Sequence, residues 1–163
     1  MAENEKAGAS EETNKNFEIQ RIYLVDVSFE SPLAPGIFTK QITPSTNVDL
    51  NSSNRQVADD VYEVLLDITT TVKVEGEVAY LIEVKQAGIF NISGYNESET
   101  MQVLGSKCPE IIYPFCREAI CDLAVKGGFP QIHLAPINFD ALFARHVQEQ
   151  HKAEQQKDQA VKH

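Results

Sequence analysis

Apolar and polar residues alternate over a long stretch from Val61 to Ile92. Tyr62, Val64, Leu66, Ile68, Val72 and Val74 take even positions, and Glu63, Asp67, Thr69, Thr71, Lys73 and Glu75 take most of the odd ones. After Gly76 the even positions resume as Val78, Tyr80, Ile82 and Val84. Successive side chains of a strand point to opposite faces, so this period of two predicts a β-hairpin with one apolar face, turning at Glu75-Gly76. A strand of about 15 residues at roughly 3.3 Å per residue spans about 50 Å. A compact monomer of this length has a radius of gyration near ~15 Å and a diameter of about 40 Å. The hairpin therefore either overhangs its own monomer or lies across a neighbour. An oligomer with broad apolar sheet surface is the expectation.

Upstream, residues 1–16 are polar and lack aromatic and branched apolar side chains, the composition of a disordered segment. A first strand runs from Phe17 to Glu30, with Phe17, Ile19, Tyr23, Val25, Val27 and Phe29 at odd positions and Ile22 and Leu24 interrupting the polar face. Pro32 and Pro35-Gly36 end it. The stretch from Ser31 to Ser45 reads as a long crossover anchored by Leu33, Ile37, Phe38 and Ile42, after which Val48 and Leu50 begin a short, polar-interrupted second strand. Beyond Ile92 the period changes. Asn96 and Glu99 have capping-box spacing for a short helix over Glu97–Leu104. Ile112, Phe115, Cys116, Ala119, Ile120 and Leu123 predict an amphipathic helix, with Pro114 near its first turn and Gly127-Gly128 at its end. Asn138 is placed to cap a last helix starting at Phe139, and the polar run from Gln148 predicts a fraying tail over 148–163. Strands grouped before helices indicate an α+β fold with a four-stranded antiparallel sheet in one domain over 17–147.

Composition narrows the partners. Fourteen Lys and Arg stand against 24 Asp and Glu, for a formal net charge of −10. That balance argues against non-specific nucleic acid or anionic lipid and fits a protein that meets basic partners. No apolar run reaches the roughly 20 residues that cross a bilayer, and the N-terminus lacks the basic-then-apolar order of a signal peptide, so no direct membrane insertion and a cytoplasmic setting are expected. Cys108, Cys116 and Cys121 form no C-x-x-C pair and read as reduced, buried thiols.

Chemistry is sparse. Phosphate-loop, nucleophile-elbow and zinc-protease motifs are missing from the sequence. His146 and His151 lie five apart, the wrong spacing for one helix face, and His133 sits in a Pro-flanked loop, so metal ligation is not expected. The residues point to surface recognition, in which an apolar sheet face, helices and the Pro-rich crossover frame a groove for an extended chain. A rival reading closes the same face around one small apolar ligand. A thiol-dependent enzyme using Cys116 or Cys121 is a third.

Four segments carry a resemblance: Phe17-Glu18-Ile19-Gln20-Arg21-Ile22-Tyr23, Ala58-Asp59-Asp60-Val61-Tyr62-Glu63-Val64, Gly88-Ile89-Phe90, and the nine-residue run Ala135-Pro136-Ile137-Asn138-Phe139-Asp140-Ala141-Leu142-Phe143. In order and content they resemble the SecB family of bacterial export chaperones. The resemblance implies a homotetramer, built as a dimer of dimers, with a long helix at the dimer–dimer interface. It implies no enzymatic activity and no cofactor. It also implies that unfolded precursor polypeptides are held and delivered to the SecA motor ATPase. By the same resemblance Asp26, Glu30, Leu81 and Glu83 face SecA. Val48 and Leu50, with Leu33 and Phe38 of the crossover and Phe139, Leu142 and Phe143 of the last helix, form the client groove. Ile82, Val84 and Gln86 bear on quaternary structure. The family's tail is often acidic, whereas here Lys152, Lys157 and Lys162 offset Glu149, Glu154 and Asp158, which weakens the case for a tail contact with SecA.

Overall fold

The computed structural model describes residues 14–41 and 43–160, so the first thirteen residues, Ile42 and residues 161–163, Lys162 of the tail among them, lie outside the described region. Four strands, β1 (Asn16–Glu30), β2 (Pro44–Ala58), β3 (Val61–Val74) and β4 (Glu77–Ser93), precede the helices α1 (Glu97–Gln102), α2 (Cys108–Lys126) and α3 (Phe139–Ala160). The strands form one antiparallel sheet in the order β1-β4-β3-β2.

The β3–β4 hairpin follows the alternation. Val64, Leu66, Ile68, Val72 and Val74 are buried on one face, joined by Tyr80, Ile82, Val84, Phe90 and Ile92. The turn residues Glu75 (φ 52°) and Gly76 (φ 84°) are both left-handed, the backbone that matches strand twist in a two-residue hairpin. The register departs from expectation near the turn. Val72 pairs with Tyr80 and Lys73 with Val78, so Ala79 is an extra residue and Val78 turns away from the apolar face.

Strand β1 differs in its middle. Register shifts after Ile19 and Leu24 insert Gln20 and Val25 as bulge residues. Ile22 and Leu24 pair with Gly88 and Gln86 on the helix side, while Tyr23 pairs with Ala87 on the outer side. The two residues expected to break the polar face therefore belong to the apolar one. Strand β2 is also not short. It runs the length of β3, from Pro44 opposite Val74 to Ala58 opposite Val61. Its Asn51-Ser52-Ser53-Asn54 stretch has poor strand propensity, and the ladder to β3 supplies what local sequence does not. In the crossover, Gly36–Thr39 forms a 3-10 turn whose Ile37 is buried.

The helix layer is more continuous than the periodicity implies. The capping box forms as expected: Glu99 N–H donates to Asn96 Oδ1 at 2.9 Å, and Asn96 N–H donates to Glu99 Oε2 at 3.1 Å. From there α1 passes through a π turn at Val103–Lys107 directly into α2. Pro114 thus lies inside α2 and not near a helix start. The buried stripe Cys108, Ile112, Cys116, Ile120 and Ala124 repeats every four residues and packs on β4 and β3. Gly128 (φ 84°) ends α2 in the left-handed conformation that favours glycine. Asn138 caps α3, its Oδ1 accepting from Ala141 N–H at 2.9 Å. Instead of fraying at Gln148, α3 continues to Ala160 with the side chains of 148–157 exposed.

Candidate functional site

Helix α2 lies over β4 and β3, and this leaves the helix-side residues of β2 largely exposed. Thr46, Val48 and Leu50, opposite Val72, Thr70 and Ile68, form the floor of an open trough along this edge of the sheet. At one end is an apolar cleft of about 180 Å3, lined by Thr46, Val72, Val74, Tyr80, Phe129 and Ile132. Two aromatic rings wall it, Tyr80 and Phe129 at 4.3 Å, and Phe38 lies outside the lining at 5.2 Å from Phe129. At the other end a cleft of about 480 Å3 is lined by Leu50, Leu104, Phe139, Leu142 and Phe143, with Arg145 and Glu149 among its polar residues.

Most of the expected groove residues come together here. Val48 and Leu50 supply floor, Phe38 stands half-exposed at the aromatic end, and Leu142 and Phe143 line the larger cleft. Phe139 is buried, edge-on to Tyr113 at 5.6 Å, and so serves the core as well. Leu33 packs against the core and lies in neither cleft. Tyr80, Phe129 and Ile132 were not anticipated. The available signal was an aromatic placed directly after the Gly127-Gly128 helix stop.

The opposite face of the sheet is charged. Glu30 pairs with Leu81, Ser28 with Glu83, and Asp26 with Lys85, so Asp26, Glu30, Leu81 and Glu83 share this outer face. Ser28 Oγ donates to Glu83 Oε2 at 3.1 Å. The registers add Asp49 and Asp67 to the same region. Lys85 stands among these acids, 3.7 Å from Asp67. Farther along this face Tyr23 Oη and Arg55 Nε both donate to the Glu63 carboxylate. The Arg55 hydrogen bond holds the Glu63 carboxyl below the usual carboxylate range, and the bond to Glu63 raises the Tyr23 phenol. Ile82, Val84 and Gln86 face the other way and are buried beneath the helix layer.

A third, open groove of about 490 Å3 runs beside the exposed flank of α2, where Cys121 and His133 are both lining residues. Arg117, Glu118 and Asp122 share that lining. Burial pushes the Cys108 and Cys116 thiols up to about 12, so both are protonated at neutral pH. Among the described residues no cluster of three or more His, Cys, Asp or Glu is arranged to hold a metal, and no helix is long and apolar enough to cross a membrane.

An antiparallel sheet with helices and an open apolar trough on one side and a carboxylate-bearing surface on the other defines an α+β protein with two chemically distinct exposed faces. The chain belongs to the SecB family, the chaperones of preprotein export: the family model described as preprotein translocase subunit SecB matches residues 10–150. The protein-export protein SecB of Marinobacter nauticus is 47% identical over 146 residues, covering 89% of this chain and 88% of that protein. Among solved structures, the fold is similar to the SecB-like chaperone Rv1957 of Mycobacterium tuberculosis, in complex with a ChAD peptide from the HigA1 antitoxin. That match has a TM-score of 0.64 at 15% identity and covers 74% of this chain and 90% of the other.

Proposed function

We propose that this protein holds unfolded secretory precursors in the β2 trough and delivers them to SecA through the acidic outer face. The observation that carries the first half is the uncovered apolar strip Thr46–Val48–Leu50 joining two clefts. An extended segment laid along it removes apolar side chains from water, each worth about 1.5–3 kcal/mol when fully buried. The trough engages only unfolded chain, so it lowers the population free to fold by mass action. The similar mycobacterial chaperone was solved with a peptide bound, which supports a polypeptide ligand. The rival small-ligand reading is disfavoured by lining and size together: the cleft of about 480 Å3 is ringed by the polar residues Asn51, Ser52, Asn54, Arg145, His146 and Glu149, and the more apolar one, at about 180 Å3, falls below the roughly 300 Å3 at which small-molecule pockets begin.

The docking half rests on Asp26, Glu30, Leu81 and Glu83 sharing one exposed sheet face, apart from the trough. The working particle is a cytoplasmic homotetramer, a dimer of dimers, in which one client spans several troughs and gains avidity through effective concentration. Ile82, Val84 and Gln86 act on that assembly through α2, the helix they support. The protein acts without catalysis or cofactor.

One experiment separates the two faces. Equimolar tetramer should slow refolding of a slow-folding precursor. Leu50→Arg should impair that capture at unchanged native mass, and Glu83→Lys should weaken SecA binding with client capture near normal. Unslowed refolding by the wild type would remove the holding function. Equal loss of both activities in Glu83→Lys would indicate damaged folding and no separate docking face.

A further inference from the structure

Two glycines sit at positions of helical backbone. Gly105 lies inside the π turn between α1 and α2, and Gly127 caps α2 at φ −74°. Neither has the positive φ that explains Gly128, so backbone conformation does not demand them. The space beside them does. A methyl group at Gly105 would stand 2.3 Å from Phe143 Cδ2 and 2.6 Å from Cε2. One at Gly127 would stand 2.1 Å from Phe29 Cζ and 2.6 Å from Cε2. Real carbon contacts do not approach so closely, so each ring rests directly on glycine backbone.

The two rings bear on the two ends of the trough. Phe143 lines the larger cleft with Leu50, and its helix is held to the π turn next to Gly105 by the Ser106 hydroxyl donating to Asp140. Phe29 stacks on Tyr80 at 6.0 Å and lies 6.3 Å from Phe129, the aromatic pair that walls the smaller cleft. We infer that Gly105 and Gly127 are positioning residues that set the depth of the two ends of the client trough by seating Phe143 and Phe29. This deepens the groove reading and rests on it. The glycines reach a client only through the rings they carry.

The sign of one substitution is diagnostic. Alanine is the better helix former, so propensity alone makes Gly105→Ala a more stable junction between α1 and α2. Seating makes the opposite demand: Phe143 must leave, and the start of α3 loosens. In Gly105→Ala, amide hydrogen exchange over 139–147 should speed up while exchange over 112–124 is kept. Affinity for a reduced, carboxymethylated unfolded polypeptide should fall about tenfold, the scale of one overpacked contact. Phe143→Ala removes the clash, so adding Gly105→Ala to that background should change neither reading further. Gly127→Ala with Phe29→Ala gives the matching cycle at the aromatic end. A slower-exchanging α3, or a full Gly105→Ala effect persisting without the Phe143 ring, would overturn the seat. Faster exchange with unaltered affinity would overturn its role in shaping the groove. Failure of the wild type to bind the unfolded polypeptide at all would instead remove the groove reading on which this one is built.

Discussion

At the scale of single residues, two side chains make sharp demands. Thr70 is fully buried between Val48 and Ile82 in the ladder, and its Oγ1 has no hydrogen-bond partner among the described residues. A buried hydroxyl left unmet costs about 1–3 kcal/mol. Thr70→Val keeps the branched shape and should raise the urea-unfolding free energy by about 1 kcal/mol; a loss would mean that the hydroxyl is satisfied. Glu63 tests the outer face. Arg55 lowers its folded pKa, so its contribution is present above the unfolded carboxylate value and is lost as pH falls through the folded one. Glu63→Gln should therefore be less stable at neutral pH and lose less on acidification than the wild type. Parallel urea midpoints for the two proteins from pH 7 to pH 3 would contradict that link.

At the scale of elements, the hairpin turn is the clearest place where sequence and backbone disagree. Glu75 is left-handed at φ 52°, a conformation costing roughly 1–2 kcal/mol for most side chains but readily adopted by Asn. Its exposed pair with Lys40, at 3.7 Å, offsets little of that cost. Glu75→Asn should thus raise the thermal midpoint by a few degrees, measured calorimetrically, with client binding untouched. Strands β3 and β4 were legible because Glu63, Asp67, Lys73, Glu83 and Lys85 mark one face against the apolar run on the other. Strand β1 was legible only at its ends. Its two bulges each shift the parity by one residue and together restore it, so Phe17 and Phe29 fall on the anticipated side and Ile22, Tyr23 and Leu24 on the other. That cancellation is also why Asp26 and Glu30 meet Lys85 and Leu81 on the outer face. Strand β2 was legible only at Val48 and Leu50, because its extent comes from pairing with β3 across a run of Asn and Ser. Of the groove, the family-like residues of α3 were readable. Tyr80 and Phe129 were not, because each looks like core until the strand and the loop are placed side by side.

At the scale of the whole molecule, the sheet separates two kinds of force by its thickness. On the proposed function the trough works by burial, which salt weakens little and strongly hydrated salts strengthen. On the same proposal the outer face works by charge. It gathers Asp26, Glu30, Asp49, Asp67 and Glu83 around Lys85 on a chain of net charge −10. Screening shortens the reach of such a face from about 10 Å at 0.1 M salt to about 3 Å at 1 M. Association steered by it should therefore slow as salt rises, by roughly tenfold or more between low and high ionic strength, while dissociation changes less. Stopped-flow binding to SecA across that range, beside equilibrium binding of an unfolded precursor, reads both faces in one series. The SecA on-rate should fall steeply and client affinity should hold or tighten. Glu83→Lys should flatten the salt dependence of the first without touching the second. If salt weakens both in parallel, the client is also being held by charge, and the division of labour between the two sides of the sheet is wrong.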